Sequence, residues 1–199
     1  MLQRQDPEPV VSKKDFNNFL GVMTFITRAL GVTVEVFLRR STTFGERYFG
    51  IQAAAGTACI LLWPLFWEGH SADPMLVFLA LYWVALLSAR MRTKARIRRG
   101  GPQPHTLYNG TPTLQKVWKR SSEHRIKTVI EPIYVACIAL CFTTVSVPLA
   151  AYLVLAGMCA AVSTGMSGAL QHRRSMALHD SFLEQADVAR SFRRMRDGR

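Results

Sequence analysis

Two long zones of the sequence lack lysine and arginine altogether. Residues 48–89 and 128–170 contain neither, although the chain carries 25 of these residues in its other parts. A water-soluble domain scatters charge along every amphipathic element, because each element has one face in water. At about 20 residues per membrane-crossing helix, each zone is long enough for two crossings. The missing cations therefore indicate an integral membrane protein.

The sequence also lacks the motifs of catalysis and of metal or cofactor binding. It contains no HExxH or CxxC spacing, no GxSxG elbow, no Walker A loop and no GxGxxG turn. The cysteines lie inside the apolar zones, where packing is their usual role: Cys59, Cys137, Cys141 and Cys159. We therefore expect a protein that is not an enzyme and that holds no cofactor and no metal.

The two apolar zones predict an all-α integral membrane protein with four transmembrane helices in two hairpins. The spans are placed at about 48–67, 74–89, 128–147 and 148–170. Thr128 and Glu131 have capping-box spacing at the start of the third span, and Pro148 marks the turn into the fourth. An amphipathic N-terminal helix and a C-terminal helix lie outside these spans.

Charge predicts the orientation of the spans. The loop 90–127 contains eleven Lys or Arg residues and one acidic residue, whereas the link 68–74 contains no Lys or Arg. The positive-inside rule then places the loop, and with four spans both termini, in the cytoplasm. The polar first 15 residues predict no cleavable signal peptide, and the excess of Arg over Lys suggests a bacterial genome rich in GC. We expect a multi-pass protein of the bacterial inner (plasma) membrane.

Within the N-terminal region 1–47, residues 13–40 predict an amphipathic helix. Its apolar face includes Phe16, Phe19, Leu20, Met23, Ile26 and Leu30. The helix could lie flat on the inner leaflet, pack on the cytoplasmic ends of the spans or on a partner, or form a fifth span. Arg28 and Glu35 argue against a fifth span, because charge is costly inside a bilayer. The in-plane helix is the preferred interpretation.

The basic loop 90–127 supplies the candidate contacts to lipid or protein. Six cations follow the second span, and we expect them to attract anionic lipid or to act only as a topology anchor. These cations are Arg90, Arg92, Lys94, Arg96, Arg98 and Arg99. Tyr108 and Trp118 are aromatic candidates for docking a protein partner. No nucleic-acid-binding module accompanies the basic residues, so we do not expect a nucleic-acid partner.

Small residues recur every four positions in the fourth span. The stripe consists of Gly157, Ala161, Gly165 and Ala169. Such a stripe lets two helix backbones approach closely, either inside this protein or in a homo-oligomer or a larger membrane complex. The tail 171–199 predicts a cytoplasmic helix with a narrow apolar stripe that includes Leu178 and Phe182. That helix suits pairing with a partner or packing within the chain.

Together these features predict a non-catalytic inner-membrane subunit that acts as a scaffold or assembly factor. Its basic cytoplasmic face would recruit protein partners or anionic lipid. The first alternative is a small transporter or channel subunit that works as an oligomer around Glu131, near the cytoplasmic end of the third span. The second alternative is a membrane-surface enzyme acting on lipid headgroups, which requires His105, Glu123 and His124 to converge.

Overall fold

The structure is a computed structural model that describes residues 13–45, 48–101 and 108–198, and these residues are almost entirely helical. The helices are α1 Lys13–Leu38, α2 Ile51–Leu62, α3 Asp73–Arg98, α4 Glu123–Arg125, α5 Glu131–Phe142 and α6 Val147–Asp197. Within the described ranges the only β-structure is two isolated antiparallel bridges. The chain divides into two compact units, residues 1–163 and 164–199.

Within the described ranges, three helices are long and apolar enough to cross a membrane. They are Asn18–Leu38 within α1, Asp73–Arg98 and Val147–Asp197. The apolar segment Ile51–Phe66 is shorter, and α5 has 12 residues, which corresponds to about 18 Å of helix. The four predicted spans are therefore not confirmed. Helices α3 and α6 contain the predicted second and fourth spans, whereas the remaining long helix is α1, which the sequence placed outside the spans.

The second half of α1 lies in the core of the first unit rather than on its surface. Gly31 is so close to α6 that a Cβ atom there would lie 2.9 Å from the Cα of Ala160. Gly56 of α2 is equally close to α1, since a Cβ atom there would lie 2.8 Å from the carbonyl oxygen of Ala29. Small residues thus allow α2 and α6 to contact α1 almost backbone to backbone.

The first half of α1 has the opposite environment. Most of its predicted apolar face is exposed, namely Phe19, Leu20, Met23 and Ile26, whereas Leu30 is buried. The side chain of Phe16 lies outside the described residues. Val22 and Phe25 are also exposed, so apolar side chains cover more than one face of this half. The first half of α1 is therefore apolar on more than the one face that the sequence predicted.

A proline tightens the end of α2, and the neighbouring tryptophan joins that end to α6. Pro64 lies in a 3₁₀ turn, Trp63–Phe66, which tightens the end of α2. The indole Nε1 of Trp63 donates a hydrogen bond of 2.8 Å to the carbonyl oxygen of Pro148. This bond joins the end of α2 to the start of α6.

The helical segment that leads into α5 begins earlier than predicted. Its N-cap is Ser122, whose Oγ accepts a hydrogen bond from the backbone N–H of Arg125. A π-helical turn, Ile126–Ile130, then precedes Pro132. Proline has no N–H to donate to the carbonyl four residues earlier, and a wider turn accommodates that missing bond. Thr128 therefore lies inside the helical segment and does not cap it.

The second unit is the C-terminal part of α6, and its large apolar side chains are exposed. Leu178, Phe182 and Phe192 are each about two-thirds exposed. Arg190, in the same segment, pairs with Asp187 at 2.6 Å between exposed side chains. An exposed pair of this kind adds little stability, so the apolar side chains dominate the character of this unit.

The close approach at Gly31 leads to a prediction about stability. Gly31→Ala should lower the stability of the folded protein by about 1–3 kcal/mol, because the added methyl group overlaps the backbone of α6. Gly21→Ala is the matched control, since no described atom lies within 4 Å of its Cβ position and alanine favours the helix. Thermal unfolding in detergent measures both variants, and equal effects would contradict the packing described here.

Candidate functional site

The connection between α1 and α2 pairs with the end of the basic loop. The backbone N–H of Arg40 donates to the carbonyl of Thr111 at 3.0 Å, and the N–H of Gly45 donates to the carbonyl of Tyr108 at 2.9 Å. Gly110 has φ 81°, a conformation that glycine adopts readily, and it packs against the ring of Phe44. Segments 35–45, 90–99, 108–112 and 122–131 together define what we call the basic end.

Arg39 lies at the centre of a buried ion cluster at the basic end. Its Nη1 lies 3.0 Å from Glu35 Oε1 on the same helix, and its Nη2 lies 3.3 Å from Glu131 Oε2 on α5. Nη1 also donates to the backbone carbonyl of Asn109 at 3.0 Å. The Tyr48 hydroxyl donates to the second oxygen of Glu35. No more than 2 % of Arg39, Glu35 or Glu131 is exposed, so these charges depend on one another.

A second ion pair lies beside this cluster and shares Asn109 with it. Lys127 Nζ lies 2.5 Å from Glu123 Oε1 and donates to Asn109 Oδ1 at 2.8 Å. The Tyr108 hydroxyl donates to the same Glu123 oxygen at 2.6 Å, and Lys127 Nζ lies 4.8 Å from the centre of the Tyr108 ring. Asn109 therefore binds Arg39 through its backbone and Lys127 through its side chain.

Burial and pairing shift the pKa values of the second ion pair. Burial alone would raise the pKa of Glu123, but hydrogen bonds from Lys127 and Tyr108 outweigh it and lower that pKa from its ordinary value of 4.5. Burial lowers the pKa of Lys127, and the nearby charge of Arg39 lowers it further. Burial and the bond to Glu123 raise the pKa of Tyr108. Tyr108 thus remains a neutral hydrogen-bond donor.

Among the described residues, the ion pairs join three carboxylates, those of Glu35, Glu123 and Glu131, to two cations, Arg39 and Lys127. Oε1 of Glu131 is buried and has no hydrogen-bond partner among the described residues. A buried carboxylate oxygen without a partner is costly.

An open groove lies beside the cluster, between the end of α1 and α3. Its volume is about 510 Å³, and its lining includes Phe37, Arg40, Ser41 and Arg92. Arg92 Nη1 donates to Ser41 Oγ at 3.0 Å, which connects α3 to the segment after α1. A smaller groove of about 260 Å³ lies on the other side of Arg40, where Lys116 and Lys119 contribute to its lining. Arg40 thus borders both grooves.

The cations predicted to contact lipid or partners have different environments. Arg90 donates to the backbone carbonyl of Phe49, and Arg92 contributes to the groove beside α1. Nε and Nη2 of Arg96 are buried without a partner among the described residues. The remaining three are exposed on α3: Lys94, Arg98 and Arg99.

The two aromatic candidates also differ from each other. Tyr108 is half-buried and bound to Glu123, whereas 46 % of Trp118 is exposed and it lies beside Val117, which is 71 % exposed. Trp118 is therefore the one that remains available to a partner. His105 lies outside the described residues, and His124 is exposed while Glu123 is held by Tyr108 and Lys127. The site of a headgroup enzyme is not assembled by these described side chains.

The small-residue stripe begins inside the first unit. Gly157 is buried, and a Cβ atom there would lie 3.1 Å from Cγ1 of Val135 on α5. Ala161 is half-buried, whereas Gly165 and Ala169 belong to the second unit. At Gly157 the stripe therefore serves packing between α5 and α6.

Sequence reasoning missed Arg39 and Glu35 as site residues. Both lie in or next to a helix that is otherwise rich in apolar residues, and their i, i+4 spacing is typical of a helical ion pair. That spacing could have indicated the ion pair from the sequence alone, and the same spacing separates Glu123 from Lys127. The contact of Arg39 with Glu131 spans 92 positions and has no local signal.

The buried cluster leads to a prediction for Arg39. Arg39→Met should destabilise the protein by about 3–5 kcal/mol, because Glu35 and Glu131 would lose their buried cation. Adding Glu131→Gln to that variant should restore part of the loss. Arg40→Met is the neighbouring control, since its side chain is exposed. Chemical denaturation in detergent gives the free energies of unfolding, and similar values for Arg39→Met and Arg40→Met would count against the cluster.

The lowered pKa of Glu123 predicts a pH dependence. Its ionised form is favoured in the folded protein, so its contribution is complete above pH 4.5 and is lost as the pH falls through the lowered value. The stability difference between wild type and Glu123→Gln should shrink as the pH falls from about 7 to about 3. Unfolding midpoints across this range test the prediction, with Glu68→Gln in an exposed turn as the control.

The described side chains of the basic end contact one another through charge pairing and hydrogen bonding. Nowhere in the described ranges do three or more His, Cys, Asp or Glu side chains come together as a metal site. The buried ion cluster joins helices, and the grooves beside it expose cations and hydroxyl groups. No family model, curated protein or solved structure matches this chain.

Proposed function

We propose that this chain is a multi-pass membrane subunit that acts as a scaffold or assembly factor. Its basic end faces the cytoplasm, where it meets anionic lipid, and its C-terminal helix docks a protein partner. The observation that carries the proposal is that the charged and apolar side chains have two different environments. Charged groups inside the basic end pair with one another, whereas cations and apolar side chains on the outside remain available.

Exposed apolar side chains support the membrane part of the proposal. On α3 they occur on several faces, with Val77, Leu81, Trp83 and Val84 each more than half exposed. Exposed apolar area of this extent is unusual on a water-soluble monomer and is typical of a lipid-facing surface. The cations begin at Arg90, where the apolar part of α3 ends. By the positive-inside rule, this order supports a basic end that faces the cytoplasm.

The C-terminal helix supports the partner part of the proposal. Leu178, Phe182 and Leu183 project from a segment that also carries acidic and basic side chains. An amphipathic helix with exposed apolar residues is a common way to enter a groove or a coiled coil. We infer that a protein partner, or a second copy of this chain, covers these side chains.

The tail leads to a prediction about assembly. Leu178→Ser with Phe182→Ser should abolish a complex that wild-type protein forms after gentle solubilisation, because the apolar contact is removed. Ser181→Ala lies between these positions and is the control. Native mass spectrometry reads the stoichiometry. A wild-type protein that is strictly monomeric and copurifies with nothing would argue strongly against a scaffold.

A specific observation favours one second candidate, a small transporter or channel subunit. Glu131 is buried, is paired with Arg39 and retains one oxygen without a partner among the described residues. A carboxylate in that state resembles the proton or cation sites of membrane transporters.

Flux measurements distinguish the two functions. Proton and potassium fluxes into liposomes containing the purified protein should be the same for wild type and Glu131→Gln if the scaffold is correct. Unfolding midpoints confirm that the variant is folded. A flux that requires wild-type protein and disappears in the folded variant would favour the transporter.

A further inference from the structure

We propose that the groove between α1 and α3 binds the headgroup of an anionic phospholipid of the cytoplasmic leaflet. The groove is lined by Phe37, Arg40, Ser41, Ala85, Ser88 and Arg92, among others. This inference rests on the proposed function in one respect, since it requires the basic end to lie at the cytoplasmic surface of a membrane. It deepens that proposal by assigning lipid recognition to a defined site.

The polar half of the groove matches a phosphate diester. Arg40 and Arg92 are exposed, and no carboxylate belongs to the described lining of the groove. Arg39 also borders it, but its charge is used by Glu35 and Glu131. Arginine recognises phosphate oxygens through charge-assisted hydrogen bonds, and the hydroxyls of Ser41 and Ser88 add neutral donors.

Arg92 is held in position before any ligand binds. Its Nη1 donates to Ser41 Oγ at 3.0 Å, and the next residue, Thr93, donates its hydroxyl to the backbone carbonyl of Ser41 at 3.2 Å. A side chain that is already ordered loses less conformational entropy when it binds. This distinguishes Arg92 from Lys94 and Arg98, for which no hydrogen bond to another part of the protein is found within the described residues.

The apolar half of the groove matches an acyl chain. Leu81, Ala85, Ser88 and Arg92 follow one another on one face of α3, which becomes more polar towards its C-terminal end. The eleven residue steps from Leu81 to Arg92 span about 17 Å, or roughly half of a bilayer hydrocarbon core. Phe37 of α1 is 45 % exposed and packs on Phe78 at 5.8 Å between ring centres. One leaflet's acyl chain can follow this surface while its phosphate lies at the arginines.

Charge and shape together select the occupant. A free phosphate ion would use the arginines but leave Phe37 and Ala85 uncovered, whereas a zwitterionic lipid would bring its own cation towards Arg40 and Arg92. An anionic phospholipid satisfies both halves. The volume of about 510 Å³ also lies in the range of roughly 300–1,000 Å³ that is usual for ligand sites.

Native mass spectrometry of detergent-solubilised protein titrated with phosphatidylglycerol or phosphatidylcholine tests the site. Arg40→Gln with Arg92→Gln should weaken phosphatidylglycerol binding about tenfold or more, because two cations contribute. Lys94→Gln with Arg98→Gln removes the same charge outside the groove and should weaken it less than about twofold. Phosphatidylcholine binding should be weak and similar in all proteins. Equal losses in the two double variants, or no loss in the first, would overturn the inference.

Ala85→Trp separates a lipid from a free anion without changing the charge. The added indole ring should fill the apolar half of the groove and lower the affinity for phosphatidylglycerol several-fold. Unfolding midpoints confirm that the variant is folded. The second measurement adds inorganic phosphate instead of lipid to the lipid-free protein and follows the unfolding midpoint. A soluble anion would raise this midpoint as much as phosphatidylglycerol does, and by the same amount in wild type and in Ala85→Trp. That result would show that the lipid assignment is wrong.

The outcome is separable from that of the proposed scaffold. Assembly through the tail is read from Leu178→Ser with Phe182→Ser, which leaves the groove intact. Loss of specific lipid binding with tail-dependent assembly preserved would overturn only the groove. Specific lipid binding without any assembly would support the groove and overturn only the scaffold.

Discussion

A single guanidinium group, that of Arg39, joins two buried carboxylates from different helices. Removing the guanidinium, or one of the carboxylates, would leave a buried charge without compensation, which costs several kcal/mol. The start of α5 must therefore lie where Glu131 can reach the end of α1. The carbonyl of Asn109 also accepts a hydrogen bond from the guanidinium, so the middle of the basic loop must fold back to the same place.

The same interaction explains how α1 can be a core helix although it carries an acidic residue. Glu35 would prevent burial if it were alone, but Arg39 and Tyr48 satisfy its two oxygens. With that charge compensated, Gly31 brings α1 close to α6, and Gly56 brings α2 close to α1. The buried half of α1 thus follows from ion pairing and small residues together, whereas its first half remains covered with exposed apolar side chains.

The basic end therefore contains two classes of cation with different consequences. Arg39 and Lys127 are neutralised by carboxylates inside the protein and hold α1, α5 and the loop together. Arg40 and Arg92 are exposed at a groove that continues into an apolar surface. Net charge alone does not distinguish these classes, although only the second class is placed to attract lipid or a partner.

Local patterns in the sequence determined the helical character of the chain, the extension of α3 through its arginines and the tightening of α2 at Pro64, because each depends on neighbouring residues. The i, i+4 ion pairs were also readable locally. The burial of α1 and the meeting of Arg39 with Glu131 were decided by tertiary structure. A hydrophobic pattern reports which faces avoid water, but it does not report whether lipid or another helix covers them, nor which distant charge compensates a buried one.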